Sequence, residues 1–296
     1  MANALSKLLS HLREEGVWRT LVKVGRKLRE RVAPPRLRQF ALVRNLLAGK
    51  EGLEVGGPSP LFGARGLIPI YSRVAALDGC NFSTETMWEG RIAEGMSFRY
   101  DPARAPGRQY VVEASDLSAV ADGRYDFVLS CHSLEHVANP LKALGEWLRV
   151  LRADGALLLV VPHRDGTFDR RREVTPFEHL LADFAADVGE DDLTHAEEFI
   201  ERLDYELAGI DDREDFVRRT RDNLHNRGIH HHVFDTALVV RLCDHLRLQV
   251  LLVEPASPCH IVVLARKPEG GQADNSAFLD ARAAYRRTSP FSSDRL

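Results

Sequence analysis

A chain of 296 residues, 44% hydrophobic and 28% charged, can bury a sizeable core and lies far from the composition of disordered chains. Cys80, Cys131, Cys243 and Cys259 are widely spaced and form no CxxC pair, which argues against a disulfide framework or a zinc ribbon; the longest aliphatic run, 156–161, is too short to span a bilayer. A net charge of -3 conceals an asymmetry, because residues 1–50 hold twelve Lys or Arg against three Glu while the remainder is acidic.

With no apolar leader at the start, the cytoplasm is the expected compartment. Leu5, Leu8, Leu9 and Leu12, then Val17, Trp18, Leu21, Val22 and Leu28, recur at helical spacing among basic residues and predict one or two amphipathic helices ending near Pro34-Pro35. Such a helix either lies across an acidic face of its own domain or, through residues 1–45, meets a partner protein or the inner face of a membrane.

From Gly52 onward, short β-rich runs alternate with helical stretches. Strands are predicted at 53–55, ending in Gly56-Gly57-Pro58; at 73–77, ending at Asp78; at 110–113, before Asp116; at 125–130; and at 156–161, ending at Pro162. A helix over 141–151 separates the last two. Residues 165–230, rich in Asp, Glu and Arg with apolar positions at helical spacing, predict a helical insertion. A helix over 235–245 and strands at 249–254 and 260–265 follow, and 267–296 reads as a polar tail with a short helix near 278–286. The fold class is α/β: a Rossmann-like, mostly parallel sheet with helices on both faces.

In an open α/β sheet, ligands bind beyond the carboxyl ends of the strands, where the strand order reverses. Glycines after the first strand allow close backbone approach; Asp78, 22 residues after Gly56, is placed to accept from a ribose diol, and Asp116 with Leu117 to meet an adenine. Either aspartate could equally be a helix cap or a turn residue. A nicotinamide-dependent dehydrogenase needs G-x-G-x-x-G at the first turn, and Gly56-Gly57-Pro58-Ser59-Pro60 does not supply it.

The segments LEVGG at 53–57, YDFVLSCHSLEHV at 125–137 and LRADGALLLVVP at 151–162 resemble class I S-adenosylmethionine-dependent methyltransferases of type 11. The resemblance covers about 50–165 and implies a seven-stranded sheet closed by an antiparallel edge hairpin. It implies S-adenosylmethionine as cofactor, with Glu54, Gly56, Gly57, Pro58 and Ser59 at the turn beside its methionine moiety. Asp78 would hold the ribose, Asp116 and Leu117 would frame the adenine, and Cys131 and His132 would line the methionine side. Pro58 and Pro60 stand where the family has glycines, and proline has no N–H to offer a carboxylate.

The layout that follows is a basic helical extension at 1–50, a methyltransferase domain at 51–266 and the tail at 267–296. The stretch HRDGTFDRRREVTPFEHL at 163–180 and the HHHVFDT run at 230–236 resemble a bacterial subgroup linked to surface-polysaccharide biosynthesis. That resemblance implies O-methylation of a sugar or glycan intermediate, with no nucleic-acid partner. The alternative is a non-catalytic methyltransferase-fold module that organises a glycan-assembly complex. His163 and Asp165, directly after the fifth strand, are the expected proton acceptors, with His231 in reserve. These histidines could also serve as loop or cap residues, and no metal site is expected because no ligand motif such as H-E-x-x-H is present.

Overall fold

The computed structural model describes residues 35–270 and 272–295. The amphipathic helices expected over 5–28 lie outside the described residues. The part of the basic extension that is described packs against the domain: α1 (Phe40–Leu47) buries Val43 and Leu47, and Leu37 before it is also buried.

Eight strands form one sheet: β1 (Glu51–Val55), β2 (Ala76–Asn81), β5 (Gly95–Phe98), β6 (Gly107–Val111), β7 (Tyr125–Cys131), β8 (Leu151–Pro162), β9 (Gln249–Ala256) and β10 (His260–Arg266). Their order is β5-β6-β2-β1-β7-β8-β10-β9, and β3 (Glu85–Thr86) with β4 (Gly90–Arg91) forms a separate ribbon. The pairs from β6 to β8 are parallel, whereas β5 pairs antiparallel with β6 and the hairpin β9–β10 pairs antiparallel with β8. The edge hairpin is as expected; the extra strand is β5, laid on the outer edge of β6. The strand order reverses between β1 and β7, and their carboxyl ends open the crevice there.

Alternation along β8 divides the core into two layers. Leu157, Leu159 and Val161 face the layer filled by α2 (Pro140–Val150), α3 (Phe177–Ala185) and α8 (Thr236–His245), while Leu158 and Val160 face the layer holding α1 and the irregular segment 59–74. Asn139 caps α2 by accepting from Lys142 N at 3.0 Å, and Pro140 occupies its first turn. Trp147 of α2 is fully buried and donates its indole N–H to Ala114 O at 2.9 Å, tying that helix to the loop after β6.

The insertion is helical as expected. It comprises α3, α4 (Ala196–Arg202), α5 (Tyr205–Ala208), α6 (Arg213–Arg221) and α7 (Asn223–Asn226), with a small core of its own around Phe199, Ile200, Phe216 and Ile229. The tail is polar in composition but packed, with Tyr285, Phe291 and Asp294 buried. Among the described residues, no helix is long and apolar enough to cross a membrane.

Candidate active site

The turn after β1 is built around a buried carboxylate. Glu54 is fully enclosed; its Oε1 accepts from Ser59 N at 2.9 Å and its Oε2 from the Tyr71 hydroxyl at 2.7 Å. Burial pushes its carboxyl up to about 8, against the opposing pull of the Tyr71 and Ser59 hydrogen bonds. Gly56 sits at φ 79, and a Cβ there would lie 2.0 Å from Ser133 Oγ, so both the conformation and the space require glycine. A Cβ on Gly57 would strike the Glu54 carboxyl at 2.2 Å. The turn is thus packed from beneath by Glu54 and from the side by Ser133, just after β7.

Above it lies a cavity of about 470 Å³, a volume suited to a cofactor-sized ligand. Of the residues expected to bind cofactor, Gly56, Pro58, Ser59, Cys131 and His132 line it. Glu54 and Gly57 support the turn from behind.

The two aspartates do not reach the cavity. Strand β2 continues past Asp78 for three more residues, because Gly79 and Cys80 pair on both sides with β1 and β6. Asp78 therefore lies in the amino-terminal half of β2, where Oδ1 accepts from Arg108 N at 2.7 Å and Oδ2 from the Tyr125 hydroxyl at 2.7 Å. Asn81 takes the strand-end place instead, donating to Gly57 O at 2.9 Å and accepting from the Trp88 indole N–H at 3.2 Å. The third strand departs the other way: β6 ends at Val111, two residues short of the expected end, so Val112, Glu113 and Ala114 line the cavity. Asp116 is turned to the surface, accepting from Ser118 N at 3.1 Å, and hydrogen bonds from Ser118 hold its carboxyl below the usual value. Leu117 is buried in the core, and its N–H donates to Glu146 Oε2.

After β7, His132 adopts φ 53, an uncommon conformation for a residue with a side chain, and lines the cavity. Its Nδ1 is 3.5 Å from Glu135 Oε1 and its Nε2 is 2.9 Å from His260 Nδ1. Glu135 is 1% exposed, and its Oε2 has no hydrogen-bond partner among the described residues. Burial pushes this carboxyl up, but the His132 hydrogen bond and the neighbouring imidazoles outweigh burial and hold it below its ordinary value. His136 also lines the cavity; its Nδ1 meets Ile229 O at 3.0 Å, and because a carbonyl can only accept, Nδ1 carries the hydrogen and Nε2 the lone pair. Burial, followed by the nearby His230, lowers His136 to about 4.

The insertion closes the far side with Glu190 and Arg227. Arg227 pairs with Glu113, lies 4.8 Å from the Phe82 ring centroid and 3.6 Å from Glu190. Burial raises Glu190 to about 7. Asn81, Phe82, Trp88, Glu89, Glu113, His136, Glu190 and Arg227 were not anticipated from the sequence. Reading β2 to its true end would have brought in Asn81 and Phe82; the insertion residues carry no local signal.

The three expected proton acceptors are elsewhere. His163 is fully buried: Phe291 stacks on it at 4.0 Å between centroids, Asp165 N donates to its Nδ1 at 3.1 Å, and its Nε2 is 3.3 Å from Asp294 Oδ1. Asp165 Oδ2 accepts from Ser293 N at 3.0 Å, from Ser293 Oγ at 2.9 Å and from Ser292 Oγ at 3.2 Å. The C-terminal segment has folded over the end of β8 and taken both residues. His231 is also fully buried, with Nε2 3.1 Å from Asn223 Nδ2, and burial lowers it to about 3. None of the three lines the cavity.

The cavity suits an adenosyl amino acid in its chemistry. Val55, Phe82, Val112 and Val137 offer apolar walls to a purine, and Glu89 and Glu113 offer acceptors to amines or hydroxyls. Pro58 and Pro60 have no N–H and Ser59 N is committed to Glu54, so the turn offers few donors to a ligand carboxylate, and the guanidinium of Arg227 lines the cavity as a side-chain donor.

Residues 91–159 match a family model described as a methyltransferase domain. No curated protein sequence matches the chain. Among solved structures, the chain is similar to an S-adenosylmethionine-dependent methyltransferase from Methanosarcina mazei, with 16% identity, 77% of this chain and 97% of that one covered, and a TM-score of 0.42. A putative S-adenosylmethionine-dependent methyltransferase from Listeria monocytogenes is similar at 17% identity, with 78% and 98% covered and a TM-score of 0.42. The 1,6-didemethyltoxoflavin-N1-methyltransferase of Burkholderia thailandensis, solved with S-adenosylhomocysteine, is similar at 12% identity, with 78% of each chain covered and a TM-score of 0.43.

Proposed function

We propose that this chain is an S-adenosylmethionine-dependent methyltransferase, a reading supported by the methyltransferase-domain match over 91–159, and that it methylates a hydroxyl of a polar acceptor such as a sugar or glycan intermediate, with His132 as the proton acceptor. The supporting observation is the cavity at the β1–β7 switch point, where His132 is held in a left-handed conformation against a buried carboxylate. S-adenosylmethionine, when bound, supplies a methyl group on a positively charged sulfur, so the protein has mainly to align an oxygen and take its proton.

Glu135 Oε1 can only accept when ionised, which assigns the His132 hydrogen to Nδ1 and leaves Nε2 as the atom that takes a proton. His260, packed edge-on at 5.1 Å, donates from Nδ1 to that same nitrogen at 2.9 Å and holds the ring in place, so the acceptor hydroxyl has to displace this hydrogen bond when it binds. Glu54 fixes the turn beneath the ligand, and Asn81 ties the end of β2 to Gly57 O, so two walls of the cavity move as one unit. The imidazoles and carboxylates around the rim suit a polyhydroxyl acceptor better than an apolar one.

Calorimetry with S-adenosylmethionine, followed by transfer assays with isotope-labelled cofactor on matched hydroxyl and amine acceptors, tests this reading. Transfer to oxygen is expected. Absence of cofactor binding removes the reading altogether, transfer confined to nitrogen removes the hydroxyl, and binding without transfer to any acceptor favours a non-catalytic module.

A further inference from the structure

A second constellation of side chains lies on the insertion, apart from the cavity. His179 and Asp183 stand one turn apart on α3, so both project from the same face. His195 immediately precedes α4, and His232 comes from the histidine run before α8. One ring nitrogen from each histidine and one Asp183 oxygen all lie within 4.8 Å of one another. Four ligands around a zinc ion at bond lengths near 2.1 Å would stand about 3.4 Å apart, so a small inward movement completes the set.

Hydrogen bonding within the cluster leaves two of its groups unsatisfied. His179 Nε2 and His195 Nε2 share a hydrogen bond at 3.0 Å, which an ion would replace. Asp183 Oδ2 is 3.4 Å from His179 Nε2 and 3.7 Å from His232 Nε2, yet it is buried without a hydrogen-bond partner. His232 is 1% exposed; its Nε2 meets Ala138 O at 3.1 Å and its Nδ1 has no partner among the described residues. The Nε2 that approaches Asp183 is also the nitrogen on Ala138 O, so an ion would take either that atom, with the carbonyl bond released, or the bare Nδ1.

We infer that His179, Asp183, His195 and His232 form a binding site for a divalent transition-metal ion, best fitted by zinc. Three imidazoles and one carboxylate suit a borderline ion in four-coordinate geometry, whereas magnesium and calcium prefer all-oxygen shells. With four protein ligands the shell is closed, so the ion joins α3, the start of α4 and the histidine run rather than activating a substrate. Ile229, just before that run, meets His136, and Glu190, at the cavity, lies between α3 and α4 in sequence; the ion would therefore fix the insertion's side of the cavity.

The experiment uses untagged full-length protein grown with added zinc, with metal content measured by mass spectrometry. It is followed by stripping and titration with zinc and with cobalt, whose visible absorption reports four-coordinate geometry. About one zinc per chain is expected, with cobalt taken up in a tetrahedral spectrum. His179→Ala and His195→Ala should each weaken zinc binding at least about a hundredfold, beyond the ten- to hundredfold loss typical of outer partners. The exposed helix residue His225, changed to Ala, should leave it unchanged. Wild-type protein that neither carries zinc nor takes up zinc or cobalt at one equivalent overturns the inference. So does wild-type-like binding by both His179→Ala and His195→Ala, or loss of the ion in His225→Ala. If the alanine variants fail to fold, Asp183→Asn, read by the cobalt spectrum, stands in for them.

Discussion

His132 and His163 each follow directly on a neighbouring parallel strand, β7 and β8, at the same edge of the sheet. One borders the cavity with 29% of its side chain exposed, backed by Glu135; the other is sealed between Phe291 and Asp294 with none exposed. What separates them is the covering segment. The end of β7 is left open beside the Gly56 turn, whereas the end of β8 is capped by chain arriving from 131 residues later. A strand end thus offers a functional position, and distant chain decides whether that position stays available.

The largest effects should fall on this pair and in opposite observables. His163→Ala removes a stacked, fully buried ring and leaves Asp294 without its imidazole partner, so unfolding free energy should drop by about 3 kcal/mol while turnover per folded molecule holds. His132→Ala should lower the rate of methyl transfer about a hundredfold or more at nearly unchanged stability and cofactor affinity. Chemical denaturation together with single-turnover assays reads both, and a reversal of the two phenotypes would break the comparison.

Glu54 sharpens it through pH. Its folded-state carboxyl holds a proton up to about 8, against 4.5 for an unperturbed side chain. Below that lower value both folded and unfolded states are protonated; between the two values only the folded state keeps its proton, so stability falls as pH rises, by on the order of a few kcal/mol in total. Glu54→Gln should flatten this slope in denaturation curves recorded across that range. An unchanged slope would mean that the carboxylate is ionised in the folded protein.

A smaller effect is expected at the adjacent strand. Asn81→Ala frees the end of β2 from Gly57 and should weaken S-adenosylmethionine binding about tenfold by calorimetry. Asp78→Ala, which acts in the other half of the same strand, should leave cofactor affinity within experimental scatter. The smallest change belongs to Asp116→Ala at the surface, with stability shifted by no more than about 0.5 kcal/mol and no effect on cofactor binding.

The sequence by itself determined the alternation of strands and helices, the glycine turn after β1, the helical character of the insertion and the antiparallel edge hairpin. Each of these rests on local periodicity or on a residue whose backbone demands are its own, such as Gly56 at φ 79. The family resemblance carried by 125–137 also put Cys131 and His132 on the methionine side, and both line the cavity. Other strand ends were misjudged: β2 continues through Asp78 because β1 and β6 pair with the residues beyond it, and pairing is a property of neighbours. Tertiary structure alone decided which histidines face open space, since Phe291 and Asp294 reach His163, and Arg227 and Glu190 close the cavity, across separations that no local pattern encodes. Burial and electrostatic environment come from what packs around a side chain, and that packing is set only when the whole chain has folded.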